Sequence, residues 1–580
     1  MSTVHTDKSK VEVLQNFVAF SEYVNFTFLN FSLFFAVWKN YIQTLKMPRK
    51  YNKREKAAQK KAWLNDPTAR LPSNMPYNVS STMDAFPAES AAKLLEKQGD
   101  TEFIKKGGIV VEPDGQKNFA RTDAHGNTMM HSAANENNEL FIIGTIKGVQ
   151  NKNPSANDGM TPLHTAATKG NLRICELIIE HVKDKNPKNR EDQTPLHYAS
   201  IYGHLQVCEL IIRNIQDVNP RDKKGNTPLH HAADKDYVDI CKLLLEKVKD
   251  KNSKNNEGKT PLHKATMNGN LQACLLITRY IQDANYADDR GYTPLHFAAD
   301  KDYVEICQLL LEKVKDKNPK DNVKSTPLHC AAFTGSFRVF KLISNEVEDI
   351  NPKTDSLQTP LHHATQNGHL KICKRILKKT SDNEPKDHLG WTPLHFAAKN
   401  GHVEICQLLF EYVQHKNPSA KDGLSPLHVA VKLGHLPVVS IFSENTDQMN
   451  PRDSDGTTPL HIAAEMRNLE ICQKILETNG NEKNPKDKYG RTPLHEAAKN
   501  GYVEICEKII ESVQCKGCKN PADQFGITPL HLASENGRVG VFQLILKNAE
   551  EKNPKDFRGK TPIDLADGHK NILRIYRQFS

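Results

Sequence analysis

Four residues, Thr-Pro-Leu-His, begin at Thr161 and recur at Thr194, Thr227, Thr260, Thr293, Thr326, Thr359, Thr392, Thr458, Thr492 and Thr528, with Ser-Pro-Leu-His at Ser425. The step is 33 residues, lengthening to 34 before Thr492 and to 36 before Thr528. Worn copies flank the series: Thr128-Met129-Met130-His131 before it and Thr561-Pro562-Ile563-Asp564 after it. A unit this short cannot bury its own apolar face. Fourteen of them in register must lean on one another and share a continuous core, which predicts a solenoid.

The unit beginning at Thr392 shows what each copy folds into. Thr392 suits a helix N-cap, its hydroxyl oxygen accepting a backbone N–H of the first turn. Pro393 follows at the first helical position, where its missing N–H costs nothing. Ala397 and Ala398 let a second helix approach closely, and Gly401 ends the first helix in a left-handed conformation. The second helix is expected over about 402–413, with Val403, Cys406, Leu409, Phe410 and Val413 on one stripe. Asn417-Pro418 stops it, and Lys421-Asp422-Gly423 turns into the next unit. The chain is therefore expected to be all-α, built of stacked helix–turn–helix–finger units. Asp236 and Asp302 stand where the turn glycine belongs, and Asp192, Lys324 and Leu357 where the finger glycine belongs, so those places are expected to be strained or reshaped.

Nine of the twelve cysteines fall fourteen residues after the motif threonine, a place held elsewhere by Phe340, Val439 and Phe542. It is an apolar slot, and its occupants read as buried free thiols one repeat apart, beyond disulfide reach. Such a protein suits a reducing compartment. Thirteen histidines recur at the fourth motif position, one per layer, too far apart to converge on a metal. Cys515-Lys516-Gly517-Cys518 lies in the three-residue insertion; with no second pair nearby, it reads as an incidental loop pair rather than a redox or zinc site. No phosphate-binding glycine loop or nucleophile elbow is present. Catalytic residues, cofactors, metals and small-molecule ligands are accordingly not expected.

The net charge is +10, and seven of those charges come from the run Lys46–Lys61. A nucleic-acid-binding array is expected to carry its charge along the repeats, so no nucleic-acid partner is expected. Residues 1–46 form an apolar segment, with a phenylalanine-rich stretch from Val24 to Trp38. It is short of the roughly 20 clean apolar residues of a membrane span, so an interfacial or unfolded tail, or an extension ahead of a start at Met47, is preferred to an anchor. Residues 47–120 read as a basic linker, in which Ala91–Lys97 suggests a degenerate N-terminal cap; the basic run fits a solvated tail better than a nuclear-import patch. The array occupies 121–580, and no further domain is expected after it.

Period 33 with Thr392-Pro393-Leu394-His395-Phe396-Ala397 as its signature makes the sequence similar to the ankyrin-repeat family over about Arg121–Ser580. The resemblance implies an ankyrin solenoid whose motif histidines hydrogen-bond within the motif and to adjacent backbone. It also implies a concave surface of finger tips and first-helix ends that binds proteins. The positions there are mostly Lys, Asn, Gln or Asp; the exceptions are Tyr292, Leu389 and Trp391 on fingers and Phe333, Leu433 and Met466 at first-helix ends. These six are the candidate anchors. The expected function is a non-catalytic, cytoplasmic scaffold or adaptor. The alternatives are a membrane-tethered adaptor and an accessory or substrate-receptor subunit of a ubiquitin ligase or phosphatase.

Overall fold

The computed structural model describes residues 122–147, 149–478 and 482–579. The readings placed on residues 1–121, including the Val24–Trp38 stretch, the basic run and the Ala91–Lys97 cap, lie outside them. Among the described residues are 27 α-helices and one turn of 3-10 helix, Gly517–Lys519.

The helices alternate as the motif predicts. First helices begin at the motif proline, as in Pro393–Lys399, and second helices follow the turn, as in Val403–Tyr412. Each first helix packs on the first helix of the next unit and on its own second helix, and the second helices stack likewise. The core runs through all the layers: Leu394, Ala397, Ala398, Ile405, Cys406 and Leu409 are buried in this unit, as are their counterparts in the others. The slot cysteines from Cys175 to Cys506 are buried and unbridged. Burial pushes their thiols up to about 12.

The positions without glycine keep the glycine backbone. Asp236, Asp302, Asp192, Lys324 and Leu357 have φ of 59°, 54°, 56°, 61° and 60°. They are strained rather than reshaped, because the turn they occupy is fixed by the layers on either side. Asp236 has a compensation, since its Oδ1 accepts the Ala273 N–H of the next layer at 2.9 Å.

One cap was not foreseen. The asparagine after the second helix does more than stop it: Asn186 Oδ1 accepts the Leu196 N–H at 3.1 Å, and Asn351 does the same for Leu361 at 2.9 Å. That N–H lies just after the motif proline, among the donors a helix start leaves without an internal partner. Asn153, Asn318, Asn417, Asn484 and Asn520 make the same bond in their units.

The array closes less regularly. Residues 562–565 form turns rather than a first helix, and Lys570–Phe579 is the last second helix. Asp564 replaces the motif histidine and accepts the Thr561 N–H at 2.8 Å.

Candidate partner-binding surface

Two sets of bonds hold each layer to the next and thereby place the surface residues. In all thirteen copies from Thr128 to Thr528, the histidine Nδ1 accepts the backbone N–H of the motif threonine or serine at 2.9–3.1 Å. Nδ1 therefore carries no proton. The proton sits on Nε2, which donates to a backbone carbonyl of the following unit at 3.0–3.3 Å. The result is a capping box with histidine in place of the usual Glu or Gln, its free ring nitrogen bridging to the neighbour. Burial holds these neutral imidazoles below their ordinary pKa, at about 4 in nine of them.

The fingers are joined in the opposite direction. The Lys421 N–H donates to the Leu389 carbonyl at 3.0 Å, and an equivalent bond links each finger to the one before it. Within a finger, an aspartate organises the turn: Asp387 Oδ1 accepts the N–H groups of Leu389 and Trp391 at 2.9 and 2.8 Å. This is an Asx-type turn, and it fixes the direction in which the tip residues project.

On this frame the six candidates divide. Leu389, Leu433 and Met466 are about half exposed, at 51, 51 and 49 %, and Phe333 is 37 % exposed. Tyr292 and Trp391 are more enclosed than their polar surroundings suggested. Each sits just before a motif threonine, gives its backbone carbonyl to the histidine of the preceding layer, and turns its ring onto its own layer. Tyr292 stacks on His296 at 4.8 Å and packs on Phe297; Trp391 lies 5.4 Å from His395 and 5.3 Å from Phe396, with Lys399 Nζ 5.5 Å above its ring. Neighbouring layers connect these groups. The Tyr292 hydroxyl meets Cys330 Sγ, Phe333 meets His363 edge-on at 5.9 Å, and Phe396 meets His362 at 5.6 Å. Ring contacts thus recur along the first-helix face from Tyr292 to Trp391. Leu433 and Met466 cap the first helices at 426–432 and 459–465 and continue the apolar exposure beyond it.

A separate cleft of about 340 Å³ lies N-terminal to this face, lined by Glu191, Asp222, Lys223, His231, Asp234 and Lys264 among others. Asp222 is buried and accepts a hydrogen bond from His231 Nε2 at 3.1 Å and from the Asn226 N–H at 2.7 Å. Burial raises the Asp222 pKa, but these bonds outweigh it and hold the carboxyl below its ordinary value. With charges of both signs around an open rim, the cleft lacks the apolar walls of a small-molecule site.

Exposed aromatic residues also stand where the sequence reading placed no candidate. Tyr489, Phe525 and Phe557 project from the last three fingers, and Tyr202 ends the helix Pro195–Tyr202. The signal was available, since three consecutive fingers carry an aromatic residue between the turn aspartate and the turn glycine. Among the described residues, no helix is long and apolar enough to cross a membrane.

Comparison with curated proteins gives no match. A family model described as "Ankyrin repeats (3 copies)" matches the chain in overlapping windows, the first at 129–222 and the last at 462–558. Arrays of this family are generally protein–protein interaction modules and typically non-catalytic, and no catalytic family is identified. Helix pairs at the motif's period, histidine bridges between layers and a family match across most of its length together make this chain a member of the ankyrin-repeat proteins.

Proposed function

We propose that the chain is a non-catalytic scaffold that holds a protein partner along the finger and first-helix surface between Tyr292 and Met466. The observation that supports this most is the run of exposed apolar side chains there, Phe333, Leu389, Leu433 and Met466, over the aromatic packing of Tyr292 and Trp391. Apolar side chains set in a polar rim match the anatomy of a protein–protein interface. Residues 121–580 are the binding part in this reading, and 47–120 a basic linker to it. The buried unbridged thiols favour a cytoplasmic, reducing setting.

The test is affinity capture with the full chain as bait, compared with a Leu389→Asp, Leu433→Asp, Met466→Asp chain. These side chains are exposed, so the charges leave the core intact. Proteins retained by the wild-type bait are expected to be lost from the variant. An unchanged set of captured proteins would remove this surface from consideration.

A further inference from the structure

The fingers at the C-terminal end of the array differ from those before them. Tyr489, Phe525 and Phe557 are 38, 56 and 80 % exposed. The finger ladder sets them side by side: the Gln524 N–H donates to the Tyr489 carbonyl at 2.9 Å, and the Phe557 N–H to the Phe525 carbonyl at 3.0 Å. A Cβ placed on Gly526 would lie 2.9 Å from Phe557 Cδ1, so that ring rests against the glycine beside Phe525.

The charge around them is one-sided. Residues 483–491, 519–527 and 552–560 contain nine basic residues and three acidic ones, whereas the three preceding fingers, 383–391, 416–424 and 449–457, contain four and five. The three acids are Asp487, Asp523 and Asp556, the turn aspartates. Each spends one oxygen on two finger N–H groups at 2.8–2.9 Å, so their charge is directed into their own loops. Lys488 and Arg491 lie over the Tyr489 ring at 4.9 and 5.2 Å. Some of the cations have partners: Lys488 pairs with Asp455, and Arg491 with Asp487 and Glu496. Among the described residues, Lys555, Arg558 and Lys560 form no ion pair.

We propose that this edge is a second docking surface, separate from the Tyr292–Met466 face, and that its occupant is an acidic protein segment with apolar side chains between its carboxylates. Charge complementarity selects the acids, and the three exposed rings supply apolar contact that no purely ionic partner would use. Single-stranded nucleic acid also seeks aromatic and basic residues together, but it needs open ring faces on which to stack bases. Here the Tyr489 face is already covered by the chain's own cations, which leaves two exposed rings rather than three for stacking, whereas a peptide uses ring edges and faces alike.

Selection of a random peptide library on the full-length chain, with counter-selection on a Phe525→Ala, Phe557→Ala chain, tests this. Enriched clones are expected to be acidic and to carry Leu, Phe or Trp. A synthetic peptide of the leading clone is expected to bind the double variant, and a Lys555→Glu, Arg558→Glu chain, about tenfold or more weakly. Its affinity should fall with added salt and be unaffected by Leu389→Asp, which separates this surface from the first. Circular dichroism confirms that each variant folds. Clones without a charge bias, no clone that distinguishes the variants, or an oligothymidylate that binds with the same variant dependence and displaces the peptide would each overturn the proposal.

Discussion

Acid should dismantle this array from within, and the histidine bridges set how steeply. Protonating His395 places an Nδ1–H against the Thr392 N–H, two donors 3.0 Å apart, in a site closed to water. An unfolded imidazole takes up its proton near pH ~6.5, whereas burial holds nine of the motif histidines neutral down to about 4. Between those values the unfolded chain binds more protons than the folded one. Stability is therefore complete above pH ~6.5 and is lost as the pH falls toward ~4. At pH ~5.5 each such layer loses about 1.4 kcal/mol, and nine layers unfolding together lose on the order of 10 kcal/mol. The assay is urea unfolding followed by helical circular dichroism at a series of pH values from ~7.5 to ~5, with slopes read as proton uptake. His395→Ala supplies the internal control. It should be less stable at neutral pH and shallower in its pH dependence by about 1.4 kcal/mol per pH unit. A midpoint that does not move, or rises, between pH ~7.5 and ~5.5 would show that the imidazoles are not held neutral, and the tautomer assignment would fall with it.

Other expectations follow from single layers. Leu357→Gly relieves a left-handed backbone at an exposed finger tip and should stabilise the chain by about 1 kcal/mol in thermal unfolding. Asp236→Gly should show no such gain, because it also loses the bond to the Ala273 N–H. Asn186→Ala leaves the Leu196 N–H without its acceptor and should cost about 1 kcal/mol in urea unfolding. An aromatic disulfide reagent should titrate Cys515 and Cys518 in the native chain and the ten buried thiols only after denaturation; early reaction of more than two would mean the layers open readily.

The helices and the buried cysteine slot were legible because the causes are local: a proline at the start, a glycine at the end and an apolar stripe between them lie within a few turns of each other, although the Thr392 hydroxyl, expected to accept a first-turn N–H, meets His395 Nδ1 at 3.0 Å instead. The left-handed Asp236 and Leu357 were legible for a related reason, since the repeats on either side fix the backbone and leave the substituted residue no choice. The Asn186 cap was not, because its partner lies ten residues on, across the finger, where no helical spacing points. Tyr292 and Trp391 read as outward anchors because their neighbours in sequence are polar. Their rings instead fold back on the histidines four residues later, a contact set by the turn rather than by composition. Phe525 and Phe557 were passed over in the finger reading although both are well exposed.

The two sets of inter-layer bonds run in opposite senses, and that has a bearing on synthesis. A unit leaving the ribosome finds the preceding finger's carbonyl already waiting for its N–H, so it can dock as soon as it is made. Its own imidazole Nε2–H, however, must wait for a carbonyl that has yet to be translated. A nascent array thus always presents one unanswered donor at its growing edge, and each new layer that satisfies it exposes the next.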